Sequence, residues 1–79
     1  MIVTVLFFGA TAHATGNRRI ERSVGEGERA SDLYAHLLAE YPPLARHRLH
    51  LSVNQQFANG DEMLKDGDEL AIFTAVSGG

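Results

Sequence analysis

The run Ala30-Ser31-Asp32-Leu33-Tyr34-Ala35-His36-Leu37-Leu38-Ala39-Glu40-Tyr41-Pro42-Pro43 settles what kind of domain this chain can form. Ala30, Leu33, Tyr34, Leu37, Leu38 and Tyr41 recur at i, i+3, i+4, i+7, i+8 and i+11, the period of a helix with one apolar stripe. His36 falls on the polar side of that period. Ser31 is the better N-cap by side-chain chemistry, while the apolar period already begins at Ala30. The stop is sharper. Pro42 and Pro43 each lack a backbone N–H and clash with the preceding turn, so the helix ends before them.

Upstream of the helix, Ile2-Val3-Thr4-Val5-Leu6-Phe7-Phe8 is β-branched and aromatic, and its near-continuous apolarity predicts a central strand packed on both faces. Gly9 ends it. Ala10 to Asn17 reads as a loop with a turn signal at Gly16-Asn17, and Arg19 to Val24 as a shorter, more polar strand, so the two strands form a loosely connected hairpin. Gly25-Glu26-Gly27 then interrupts the pattern. Downstream, Arg46-His47-Arg48 is a basic connection, and Leu49-His50-Leu51-Ser52-Val53 alternates as a strand whose buried face carries Leu49, Leu51 and Val53. Phe57-Ala58 is a brief edge strand before the turn at Asn59-Gly60-Asp61. Asp66-Gly67-Asp68 makes the last turn, and Leu70 to Val76 is the final strand. This order predicts an α+β, β-grasp (ubiquitin-like) fold: a mixed sheet of four to five strands with one main helix packed on one face. Residues 1–75 form the domain, and 76–79 a flexible tail.

One helix leaves the other face of the sheet open. Alternation puts Thr4, Leu6 and Phe8 of the first strand there, His50 and Ser52 of the third, and Glu69, Ala71 and Phe73 of the last. Phe8 and Phe73 on a polar-edged sheet are the kind of apolar patch that marks a protein–protein site. Composition agrees that function belongs on a surface or a terminus, since 79 residues leave little room for a deep catalytic pocket. The absence of cysteine excludes disulfides, thiolate metal sites, iron–sulfur ligation and thiol catalysis. A net charge of -3 argues against nucleic acid and favours a partner with a basic surface. The apolar start is too short to span a membrane and lacks the basic flank of a signal peptide, which places the protein in the cytoplasm.

Few side chains are arranged for chemistry. His36, His47 and His50 lie on helix, loop and strand with no carboxylate at a coherent ligand spacing, so no metal site is expected. Arg18-Arg19 and Arg46 with Arg48 sit in no Gly-rich strand-to-helix turn, so they form no phosphate loop. Asp61, Glu62, Asp66, Asp68 and Glu69 read equally as turn chemistry and as a docking site for a basic partner. Ser77 has no base to activate it and reads as linker. What remains is Gly78-Gly79 and its carboxylate. Without Cβ atoms a glycine pair threads a narrow channel, and Val76 to Gly79, if extended, reach roughly 13 Å, enough to enter a partner's active site. A nucleotide-dependent partner could convert that inert carboxylate into an acyl-adenylate open to sulfide, thiol or amine.

Four segments carry a resemblance: Val5-Leu6-Phe7-Phe8, Val53-Asn54-Gln55, Leu64-Lys65-Asp66-Gly67-Asp68-Glu69-Leu70-Ala71 and Val76-Ser77-Gly78-Gly79. Together they resemble the MoaD-type small subunits of molybdopterin synthase, in the MoaD/ThiS group of ubiquitin-like sulfur carriers. The resemblance implies that an adenylating, MoeB-type enzyme uses ATP to activate Gly79, and that a sulfur-donating enzyme turns Gly79 into a thiocarboxylate. A large, MoaE-type synthase subunit then receives the tail Val76, Ser77, Gly78 and passes the sulfur to a pterin precursor. It also implies partner docking through Phe8, Phe57 and Phe73, and no cofactor held stably by this chain. Ala12-His13 stands where many relatives carry Arg-Glu, and Thr74-Ala75 replaces a common Pro-Pro, which makes the tail less stiff. Other readings of the same features are a carrier for another pathway, a ubiquitin-like modifier that ends on a target lysine, and a plain β-grasp binding module.

Overall fold

Alternation along strand β1, Ile2–Phe7, sends Val3, Val5 and Phe7 to one side, where all three are buried. The structure, a computed structural model, describes residues 1–74. β1 pairs antiparallel with β2, Arg19–Ser23, so that Val5 lies opposite Ile20, and parallel with β5, Glu69–Thr74, so that Val5 lies opposite Leu70. On its other side β5 pairs antiparallel with β3, Leu49–Val53, which carries the edge strand β4, Gln56–Ala58. The strand order is β2-β1-β5-β3-β4, the five-stranded mixed sheet expected of a β-grasp domain.

The main helix, α2, spans Ala30–Glu40 and buries Ala30, Leu33 and Leu37 against the sheet. Leu44, Leu64, Leu70 and Ile72 complete one contiguous core. Leu49, Leu51 and Val53 all pack into it, as the alternation of β3 required. An ion pair between Arg22 and Glu40 ties β2 to the end of α2.

Several local expectations are corrected. Ala10–Thr15 is not loop but a short helix, α1, bracketed by Gly9 at φ 57° and Gly16 at φ 73°. Those left-handed angles open and close it at glycine, and six residues are too few to show a helical period in sequence. α2 begins at Ala30, where the apolar period begins, and Ser31 is not its cap. The cap is Arg29, its N–H bonded to the Asp32 carboxylate at 2.8 Å, while the N–H groups of Ala30 and Ser31 donate to the backbone carbonyls of Glu62 and Gly60. The neighbouring chain thus satisfies donors that a serine cap would otherwise serve. Pro42-Pro43 ends α2 as predicted, but the chain continues as a 3-10 helix over Pro42–Arg46, because a proline in the first turn forgoes no helical bond. β1 is not packed on both faces: Thr4 and Leu6 are half-buried and Phe8 is exposed. β2 stops at Ser23, and β5 begins at Glu69 and is described to Thr74. The expected end of the last strand, Ala75-Val76, and the tail residues Val76, Ser77, Gly78 and Gly79 lie outside the described residues.

Candidate functional site: the open sheet face

The pairing registers assemble the open face row by row. Leu6 lies opposite Arg19 and Ala71, Ala71 opposite Ser52, and Ser52 opposite Phe57. In the next row Phe73 lies opposite His50, and Phe8 follows Phe7, the partner of Ile72. Phe8, just past the end of β1, therefore stands beside Phe73 of the neighbouring β5. With Gly9 and Thr74 they line a shallow depression at the end of β5, where the described chain stops.

Three aromatic rings organise the centre of this surface. Phe73 stacks on His50 with ring centroids 6.0 Å apart and planes 27° from parallel, and tilts against Phe57 at 5.9 Å. Phe57 is 83% exposed and Phe8 51% exposed, so both present apolar area to solvent while Phe73 is half-buried between its neighbours. Fully covering one such side chain is worth about 1.5–3 kcal/mol, a large incentive for a partner. Alternation placed Phe8 and Phe73 on this face, and the structure agrees. Phe57 reached the site only through family resemblance; in the structure Asn54 and Gln55 have φ 50° and 69° and join β3 to β4 as a two-residue turn. Such a turn fixes the register and sets Phe57 opposite Ser52. Asn54 also clamps that hairpin to β5, donating to Asp68 Oδ1 at 2.9 Å and accepting from the N–H of Glu69 at 3.0 Å.

Glu62, Asp66 and Asp68 of the acidic group perform turn chemistry. Glu62 accepts from the N–H groups of Asn59 and Gly60, Asp66 from that of Ile2, and Asp68 from that of Lys65. The backbone bond from Asn59 and its neighbours holds the Glu62 carboxyl below its ordinary range. Among the described residues no three His, Asp or Glu side chains lie close enough together to hold a metal ion. His13, His36 and His47 are exposed, and His50 belongs to the aromatic row. No ion pair forms at Ala12-His13 among the described residues. No helix among them is long and apolar enough to cross a membrane.

One residue of consequence was missed in the sequence. Thr11, in α1, is fully buried, and its hydroxyl bridges the ends of β1 and β5 beside Phe8. A threonine two residues after a strand-ending glycine was its only trace.

Comparison with known proteins gives this geometry a setting. The sequence pattern of the ThiS family matches residues 5–79. The chain is 39% identical over 80 residues to a molybdopterin synthase sulfur carrier subunit of Mycobacterium tuberculosis, covering 98% of this chain and 96% of that protein. Its fold is similar to that of SAMP1, a small archaeal modifier protein of Haloferax volcanii, with a TM-score of 0.87 and 26% identity over the full length of both. It is also similar to a chain in the complex of subunits 1 and 2 of molybdopterin-converting factor from Helicobacter pylori, at TM-score 0.72 and 26% identity, again with complete coverage.

Proposed function

The chain belongs to the ThiS family, and we propose that within it this protein is the sulfur carrier subunit of molybdopterin synthase. The observation that carries the reading is the near end-to-end match to a molybdopterin synthase sulfur carrier subunit at 39% identity. The protein is a carrier and not itself a catalyst.

In this reading the reactive group is the carboxyl carbon of Gly79, to which the family match extends. An adenylating enzyme joins that carboxylate to the AMP part of ATP and releases pyrophosphate. A sulfur donor then displaces AMP, leaving a thiocarboxylate. The large synthase subunit receives the tail Val76, Ser77 and Gly78, whose glycine end passes where no side chain fits, and the sulfur passes to a pterin precursor while water restores the carboxylate. A chain without cysteine has no thiol on which to hold sulfur as a persulfide, which leaves the terminal carbon. Phe8, Phe57 and Phe73 supply the docking surface, an apolar centre within a polar rim of the kind that fits a protein partner. The proposed setting is the cytoplasm, where ATP is at hand.

Reconstitution tests this. Protein incubated with the adenylating enzyme, ATP and a sulfur donor should support dithiolene formation by the large subunit. Protein extended by a few residues beyond Gly79 should fold equally well and support none. Activity from the uncut extended chain would refute the terminal mechanism. The likeness to SAMP1 keeps a modifier reading in view, and isopeptide-linked conjugates in cell extract would favour it.

A further inference from the structure

We propose, on the sulfur-carrier reading above, that Thr11 is a positioning residue: its buried hydroxyl sets the seat of Phe8 and the backbone of β5 next to Phe73. The parallel ladder between β1 and β5 runs from Thr4 opposite Glu69 to Phe7 opposite Ile72. The next rung joins the N–H of Phe8 to the carbonyl of Ile72 only through a long hydrogen bond of 3.4 Å. Thr11 Oγ1 enters that rung. It accepts the Phe8 N–H at 2.9 Å and donates its own proton to the Ile72 carbonyl at 2.7 Å.

A hydroxyl has one proton to give and lone pairs to receive, so a single oxygen can serve both strands at once. Oγ1 also lies 2.9 Å from the Phe8 carbonyl, and the proton goes to the shorter contact at Ile72. Gly9, at φ 57°, lets the chain double back within three residues to bring Thr11 into place. Packing alone asks for no hydroxyl here, since valine would fill the same volume. The polar atom is needed because the Phe8 N–H and the Ile72 carbonyl would otherwise have only their long bond to each other. Phe73 directly follows Ile72, so one hydroxyl fixes the backbone under both docking aromatics.

Three variants test the assignment, each compared at a temperature where it is fully folded: Thr11→Val, Thr11→Ser, and Val24→Ala as a core-destabilised control away from the docking face. Hydrogen exchange at the Phe8 amide is read in the free chain, and the dissociation constant is measured against the large synthase subunit. Thr11→Val should speed Phe8 exchange and weaken large-subunit binding by about tenfold, comparable with losing one good docking contact. Thr11→Ser should restore both, and Val24→Ala should leave binding unchanged. Wild-type binding by Thr11→Val, or equal weakening by Val24→Ala, would overturn the positioning role. Failure of the wild-type chain itself to bind would instead overturn the carrier reading, while Phe8 exchange still decides whether the hydroxyl holds the rung.

Discussion

Val5 and Leu6 are adjacent in β1, yet Val5 is completely buried under α2 and Leu6 lies half-buried on the uncovered side. The same contrast repeats in β5, where Ile72 is lost to solvent and Phe73 remains on the open face between His50 and Phe57. One sheet thus carries two apolar surfaces, one covered and one open. The helix side is closed by Leu33, Leu37 and Leu44 and holds the fold together. The open side keeps Phe8 and Phe57 in water, an exposure that the proposed docking would relieve. Hydrophobicity alone does not separate the two faces. Which side of the strand a residue occupies does.

Two substitutions of buried-looking residues should therefore behave in opposite ways. Leu37→Ala, on the closed side, should lower stability by about 2–5 kcal/mol, leaving the affinity of the folded fraction for the large subunit unchanged. An unmoved thermal midpoint would show that Leu37 is not core. Phe73→Ala, on the open side, should cost about 2 kcal/mol or more of binding and much less of folding, as truncation of an interface anchor does. If its unfolding midpoint fell as far as that of Leu37→Ala, the two faces would not be distinct.

A smaller effect belongs to neither face and separates turn building from docking among the acidic residues. Glu62 accepts backbone N–H bonds in the turn that seats the start of α2, which lowers its pKa in the folded state. Its contribution is therefore present above the ordinary carboxylate value and lost as pH falls through the lowered one. The stability gap between wild type and Glu62→Gln should narrow on acidification. A gap that stayed constant from neutral to strongly acid pH would assign Glu62 no such role.

The architecture was legible where an element announced itself by period. Alternation in Leu49–Val53 and the helical recurrence from Ala30 to Tyr41 fixed strand, helix and inner face before any coordinates. Phe8 and Phe73 followed from the same parity. What escaped depended on contacts between distant segments. The start of α2 is satisfied by carbonyls of Gly60 and Glu62, about thirty residues away, so local capping rules pointed to the wrong residue. Six residues of α1 are too few to show a period, and the Thr11 hydroxyl acts on Ile72, sixty-one positions along the chain. Phe57 was hidden by the Asn54-Gln55 turn, whose left-handed angles fall on two residues that are not glycine.

The comparison of the faces gains its meaning from what the open one delivers. If this chain docks by its aromatics so that a partner can work on its terminus, the terminus must carry the sulfur. Intact-mass and peptide mass spectrometry of the protein after incubation with its adenylating enzyme, ATP and a sulfur donor tests this most directly. The predicted result is one oxygen replaced by sulfur, located on Gly79. An unchanged mass, under conditions where AMP release proves activation, would contradict the account.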